Sequence, residues 1–263
     1  MTSAAGVATP ALDLIGVTKR YGGLTAVRDV SLRIAPGERR AIIGPNGAGK
    51  TTLFRMISGE VGLSAGRILL FGRDVAHVWA PGRVKLGLGR TYQITNVFPR
   101  LTVEENVYLA LQGLDRRKFD MLGRQATGAM RTRASEVLAR LHLADHATRP
   151  VSEIGYGQQR QLELALALVG NPKVLLLDEP AAGLSSAERA VMADIVRSLP
   201  RELTLVLIEH DMDLALRLVE SVSVLHNGEL IAEDTPEDIQ HNELVQSIYL
   251  GAFDGARSAE AHG

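Results

Sequence analysis

Residues 44–51, Gly44-Pro45-Asn46-Gly47-Ala48-Gly49-Lys50-Thr51, fit the pattern G-x-x-x-x-G-K-[ST]. They stand between a short apolar run at 40–43 and a segment of helical spacing at 51–58, the context in which that pattern binds phosphate. Glycines let backbone amides turn inward toward phosphate oxygens, and Lys50 neutralises β- and γ-oxygens. The following helix points its positive end at them, and Thr51 offers a hydroxyl to Mg²⁺. A second constellation is Asp178-Glu179, which closes the apolar run Val174-Leu175-Leu176-Leu177. At the carboxyl end of a buried strand, Asp178 is placed to hold Mg²⁺ through water. Glu179, sent to the opposite face by strand alternation, is placed to polarise an attacking water. Each motif also has a plain structural reading: a glycine-rich turn with a solvated lysine, and an acidic pair capping the turn at Pro180. Together they form two parts of one phosphoryl-transfer mechanism, and the plain readings lose force.

These residues need an α/β frame. Residues 12–17 and 24–34 read as strands, the second alternating through Val30, Leu32 and Ile34, with a turn at 35–38. Thr102-Val103-Glu104-Glu105 is a capping box that starts a helix near Val103. Residues 116–143 read as a helical hairpin or one long helix, and 158–169 as a third helix after Gly155. The stretch of about 90–170 is thus a helical subdomain set into an α/β one. Residues 174–177 and 203–208 are near-continuous apolar runs, the signature of parallel strands covered on both faces. Helices are expected at 187–199 and 211–219, and a hairpin at 222–225 and 230–232 around Asn227-Gly228. Arg116, Arg117, Arg124, Arg131 and Arg133 read as a solvated helix face, since no strong apolar moment accompanies them. Residues 1–11 and 251–263 read as flexible tails around a domain at 12–250.

Composition narrows the function. The chain has 263 residues with 29 Lys and Arg against 30 Asp and Glu, a formal charge of -1 that disfavours polyphosphate binding by charge alone. Aromatic residues are 4%, too few for base-stacking platforms, so a nucleic-acid partner is not expected. Cysteine is absent, which removes thiolate metal sites and cysteine nucleophiles. The start lacks the pattern of a secretory signal, and no apolar run approaches the roughly 20 residues of a bilayer span. A transport role would therefore act through other subunits.

Over 12–250 the chain resembles the ATP-binding subunits of ABC transporters. Thr91-Tyr92-Gln93 resembles the Q-loop and Ile154-Gly155-Tyr156-Gly157-Gln158-Gln159-Arg160 the signature motif. Ala182-Gly183-Leu184-Ser185 resembles the D-loop and Ile208-Glu209-His210-Asp211 the switch-histidine region. EPAAGLS, LIEHDMDL and the ending GELIAEDTPEDIQHNELVQSIYLG are similar to the branched-chain amino-acid importer class. The implied fold is a P-loop NTPase cassette: a mainly parallel RecA-like core, an N-terminal antiparallel β subdomain and an inserted helical subdomain. The implied cofactors are ATP and Mg²⁺.

The resemblance also implies roles. Tyr21 stacks on adenine, while Gly44, Pro45, Asn46, Gly47, Ala48, Gly49, Lys50, Thr51 and Thr52 cradle the phosphates. Thr51, Gln93 and Asp178 serve Mg²⁺, Glu179 is the base, and His210 and Gln93 align the water and report nucleotide state. Gly155, Tyr156, Gly157 and Gln158 bind the ATP held by an opposite ATPase subunit, a non-identical homologue or a second copy. Two departures stand out: Gly155 replaces a common serine, and Ser185 a common D-loop aspartate. The implied partners are two integral-membrane permease subunits and, indirectly, a solute-binding protein. The implied place is the cytoplasmic face of the inner or plasma membrane. Alternatives are the ATPase of a lipid or lipopolysaccharide exporter, a urea or amide importer, and a non-transport ABC ATPase. Against a GTPase stands the missing Asn-Lys-x-Asp guanine-reading motif.

Overall fold

The computed structural model describes residues 9–91, 97–114, 124–209 and 211–249. In chain order the elements are β1 (Leu12–Tyr21), β2 (Leu24–Ile34), β3 (Arg39–Ile43), α1 (Lys50–Ser58), β4 (Ala65–Leu70), β5 (Arg73–Asp74), α2 (Ala80–Lys85) and β6 (Leu88–Arg90). They continue with α3 (Val103–Leu114), α4 (Arg124–Arg140), α5 (Tyr156–Leu168), β7 (Val174–Asp178), α6 (Ser186–Ser198), β8 (Thr204–Ile208), α7 (Met212–Leu218), β9 (Ser221–His226), β10 (Glu229–Asp234) and α8 (Pro236–His241). The chain divides into two compact units, Met1–Arg83 with Arg201–Gly263, and Val84–Pro200.

The first unit carries two sheets. One is antiparallel with order β2-β1-β4-β5, and its β1 is paired on both sides. In the other, β3 lies between β8 and β9, parallel to both, and β10 pairs antiparallel with β9. Ala41, Ile42 and Ile43 are buried, as are Leu205 through Ile208, because strands flanked on both faces present no solvent side. Asn227 and Gly228 both have positive φ, 50° and 82°, the geometry of the type I′ turn that joins β9 to β10. Arg83 is the largest fully buried side chain of this unit. Its guanidinium donates to the carbonyls of Val75, Val78, Met56 and Ile57 at 2.6–2.7 Å.

The second unit pairs β6 with β7 in parallel and packs α3, α4 and α5 together. The Thr102–Glu105 capping box forms as expected: the Thr102 hydroxyl accepts from the Glu105 amide at 3.1 Å, and the Glu105 carboxylate accepts from the Thr102 amide at 2.8 Å. Within the expected hairpin or long helix, the described part is a single helix, α4, ending at Arg140, where His142 adopts φ 57° and breaks the repeat. Arg116 and Arg117 lie outside the described residues, as does the side chain of Arg124. Arg133 corrects the expectation of a wholly solvated arginine face. It is half-buried and its Nε donates to the Val169 carbonyl at 2.7 Å, tying α4 to the end of α5.

Candidate nucleotide-binding site

The phosphate loop begins where β3 leaves the sheet. Gly44 has φ 150°, and a Cβ built there would lie 2.1 Å from the Leu225 carbonyl, so no other residue fits. Gly49 has φ 99° and a built Cβ would meet the Ala26 carbonyl at 2.5 Å. The Lys50 side chain folds back along the loop, its Nζ donating to the Gly44 carbonyl at 2.6 Å and the Pro45 carbonyl at 3.0 Å. Lys50 is only 6% exposed, and its ammonium is thereby fixed at the mouth of the loop. Helix α1 starts at Lys50 with neither a side-chain cap nor an acidic residue in its first turn. Its partial positive end is thus left to an anion.

Two supports of this loop escape a reading of the sequence. The turn at Gly228 donates its amide to the Ala48 carbonyl at 3.0 Å and accepts from the Arg28 amide at 2.7 Å, so the β9–β10 hairpin braces the loop. Tyr249 lies beside the loop as the other: burial pushes its pKa up to about 12, the nearby Gly44 amide offsetting part of that rise. Asn227-Gly228 is visible in the sequence only as a turn, and Tyr249 carries no local signal. Tyr21 ends β1 and is 45% exposed, with the Lys19 ammonium over its ring at 4.9 Å from the centroid.

In the second unit, β7 is buried throughout and delivers Asp178 at its carboxyl end. The Asp178 Oδ2 accepts from Arg90 Nη2 at 3.0 Å, and the Asp178 amide donates to the Thr91 hydroxyl at 3.2 Å. Glu179 lies beyond the reach of strand alternation: the strand ends at Asp178, and Glu179 has φ 50°, a left-handed backbone. The turn after it is closed by Ala182 and Leu184 amides donating to the Glu179 and Ala181 carbonyls.

The signature segment starts α5. Gly155 occupies the N-cap position with φ −66° and ψ 164°, without a side-chain cap. Tyr156 reaches the turn before α6, its hydroxyl donating to the Ala182 carbonyl at 3.3 Å and accepting from Arg160 Nε at 2.9 Å. Gly157 faces the Glu188 carboxylate, and a built Cβ would lie 2.5 Å from its Oε1. Ser185 caps α6 in a reciprocal box with Glu188. The Ser185 hydroxyl and amide, with the Gly157 amide, hold the Glu188 carboxyl below the usual carboxylate range. Gln93 and His210, with Tyr92, lie outside the described residues. Asp211, next to His210, caps α7 by accepting from the Leu214 amide at 3.0 Å.

A strand, a glycine loop strapped by lysine and an uncapped helix start define a phosphate-loop nucleotide-binding protein. The comparisons place it more closely. The model described as "ABC transporter" matches residues 27–182, and one described as "Branched-chain amino acid ATP-binding cassette transporter" matches 229–254. The "High-affinity branched-chain amino acid transport ATP-binding protein LivG" of Escherichia coli (strain K12) is 39% identical, over 92% of this chain and 98% of the relative. BraF of Pseudomonas aeruginosa, with the same description, is 35% identical over the same shares. A crystal structure of the ADP conformation of an ATP-binding cassette of an ABC transporter superposes with TM-score 0.81 at 27% identity, covering 92% of this chain and 99% of that one. The chain belongs to the ABC transporter family. It has the P-loop NTPase cassette fold, binds nucleotide, and is the ATP-hydrolysing subunit of an importer. Among the described residues no helix is long and apolar enough to cross a membrane.

Proposed function

We propose that this chain powers uptake of branched-chain amino acids, as one of two ATPase subunits docked on two permease subunits at the cytoplasmic face of the membrane. A solute-binding protein delivers the cargo. The observation that carries the ATPase chemistry is the loop closed by Lys50 on its own carbonyls at the start of an uncapped helix. The match at 229–254 and the two relatives support the solute class.

Residue roles follow from the resemblance to ABC ATPases together with the chemistry of each group. The Gly44–Thr52 segment cradles the phosphates, with the Lys50 charge on the β- and γ-oxygens, and Tyr21 stacks on the base. Glu179 takes the proton of the attacking water while His210 and Gln93 keep that water aligned. Thr51, Gln93 and Asp178 are the residues that would hold Mg²⁺, Asp178 through water. These are hard oxygen donors, and no group of three or more His, Cys, Asp or Glu is found among the described residues. That donor set suits an ion that keeps several waters and leans on substrate phosphates. When bound, Mg²⁺ supplies positive charge to the phosphate oxygens. Gly155, Tyr156, Gly157 and Gln158 complete the site of the opposite subunit, so ATP joins the pair and hydrolysis releases it.

The test is Glu179→Gln in the assembled transporter. ATP binding is expected to persist while turnover falls by about 10² to 10⁴. Undiminished turnover removes Glu179 from the base role. Vesicle uptake of leucine, isoleucine and valine, against urea and amides, tests the solute; ATP-driven uptake of urea alone would overturn it.

A further inference from the structure

We propose that Arg90 is the resident counter-cation of Asp178, competing with Mg²⁺ for that carboxylate and so setting how much metal the site requires. This rests on the assignment of Asp178 to Mg²⁺ given above. Arg90 ends β6 and Asp178 ends β7, parallel strands in which Arg90 stands opposite Leu176. Arg90 Nη2 lies 3.0 Å from Asp178 Oδ2, and the two side chains are 7% and 0% exposed. The pair is fixed from the next residue as well, because the Thr91 amide donates to the Leu176 carbonyl at 3.0 Å and the Thr91 hydroxyl accepts from the Asp178 amide.

A carboxylate withdrawn from water this far needs a positive partner. In the metal-free protein Arg90 supplies it and holds Asp178 in one orientation. A divalent cation brought to the same carboxylate meets the guanidinium's like charge at short range, where the low dielectric strengthens the repulsion. The guanidinium therefore keeps the metal-free site intact and raises the Mg²⁺ concentration needed to load it. Arg90 is a positioning residue acting through Asp178, and no step assigned to Glu179, His210 or Lys50 uses it.

The experiment titrates Mg²⁺ into the full chain at saturating ADP and follows the thermal unfolding midpoint. Wild type is compared with Arg90→Gln, Arg90→Lys, Asp178→Asn and the double variant Arg90→Gln/Asp178→Asn. Arg90→Gln is expected to melt earlier without metal, yet to reach half-effect at about tenfold lower Mg²⁺, while Arg90→Lys keeps the wild-type midpoint. The double variant is expected to lose less metal-free stability than the losses of the two single variants add up to, since their mutual attraction is then counted once. An Arg90→Gln half-effect Mg²⁺ concentration equal to wild type, beside a shifted Asp178→Asn one, overturns the competition and leaves the Asp178 assignment standing. An unchanged half-effect Mg²⁺ concentration in Asp178→Asn overturns that assignment and the competition with it. Should Arg90→Gln fail to fold, Arg90→Met takes its place in the same titration, and a half-effect Mg²⁺ concentration equal to wild type overturns the proposal.

Discussion

Lys50 is asked to do two things at once, and substitution separates them poorly. Its ammonium straps the Gly44 and Pro45 carbonyls, and in the role proposed above the same charge meets the phosphate oxygens. Lys50→Ala removes charge-assisted hydrogen bonds from the loop and from the ligand, each worth about 1.5–3 kcal/mol. ATP affinity is expected to fall by at least about tenfold in calorimetric titration, with the far-ultraviolet spectrum unchanged. Such residues are legible in a sequence because the backbone demands them by type: Gly44 at φ 150° admits one residue only. Glu179 was legible as a carboxylate, yet its backbone conformation was not, because a left-handed non-glycine residue leaves no mark in the residue pattern. Arg90 was illegible for another reason. Its partner is distant in sequence, and an ion pair between strand ends has no local periodicity.

At the scale of elements, Arg83 does the work of a cap for several segments together. Its guanidinium closes the carbonyls of Met56 and Ile57 at the end of α1 and those of Val75 and Val78 before α2. Burial holds its pKa down at about 10, still well above neutrality, so the group is charged and its bonds are charge-assisted. Arg83→Leu leaves those carbonyls without the guanidinium and is expected to cost on the order of 3 kcal/mol in urea unfolding. A loss below about 1 kcal/mol would show that water replaces the guanidinium. The helical segment at 243–249 gives a pH test. Tyr249 ionises in the fold at about 12 rather than the ordinary 10.0, because burial penalises the phenolate. A raised folded pKa contributes stability that is complete below pH 10 and is lost as pH rises through about 12. Tyr249→Phe is expected to remove that alkaline step from the unfolding midpoint. Elements with capping boxes or strict periodicity, such as α3 and β2, were readable beforehand. Short pieces such as β5, α2 and β6 were not, since few residues carry too little pattern to outweigh their packing.

For the whole molecule the question is what a second ATPase subunit must supply. The signature start has no side-chain cap, and Gly155 offers no hydroxyl. Its φ of −66° and ψ of 164° suit a serine N-cap, and a built Cβ would crowd only Gln158 Oε1, at 2.6 Å, the far end of a flexible side chain. Gly155→Ser is therefore expected to fold normally, with stability changed by no more than a few tenths of a kcal/mol. A new hydrogen bond to a charged phosphate is worth about 1.5–3 kcal/mol, but capping the Gln158 amide competes for the same hydroxyl. ATPase turnover of the assembled transporter is expected to rise by up to about tenfold, while the isolated chain, diluted until it is monomeric and so lacking the opposite ATP, is unchanged. The contrast between those two measurements isolates the composite site. An equal or lower rate in the complete assembly would show that the backbone amides already suffice, and that Gly155 is not what limits the partner's site.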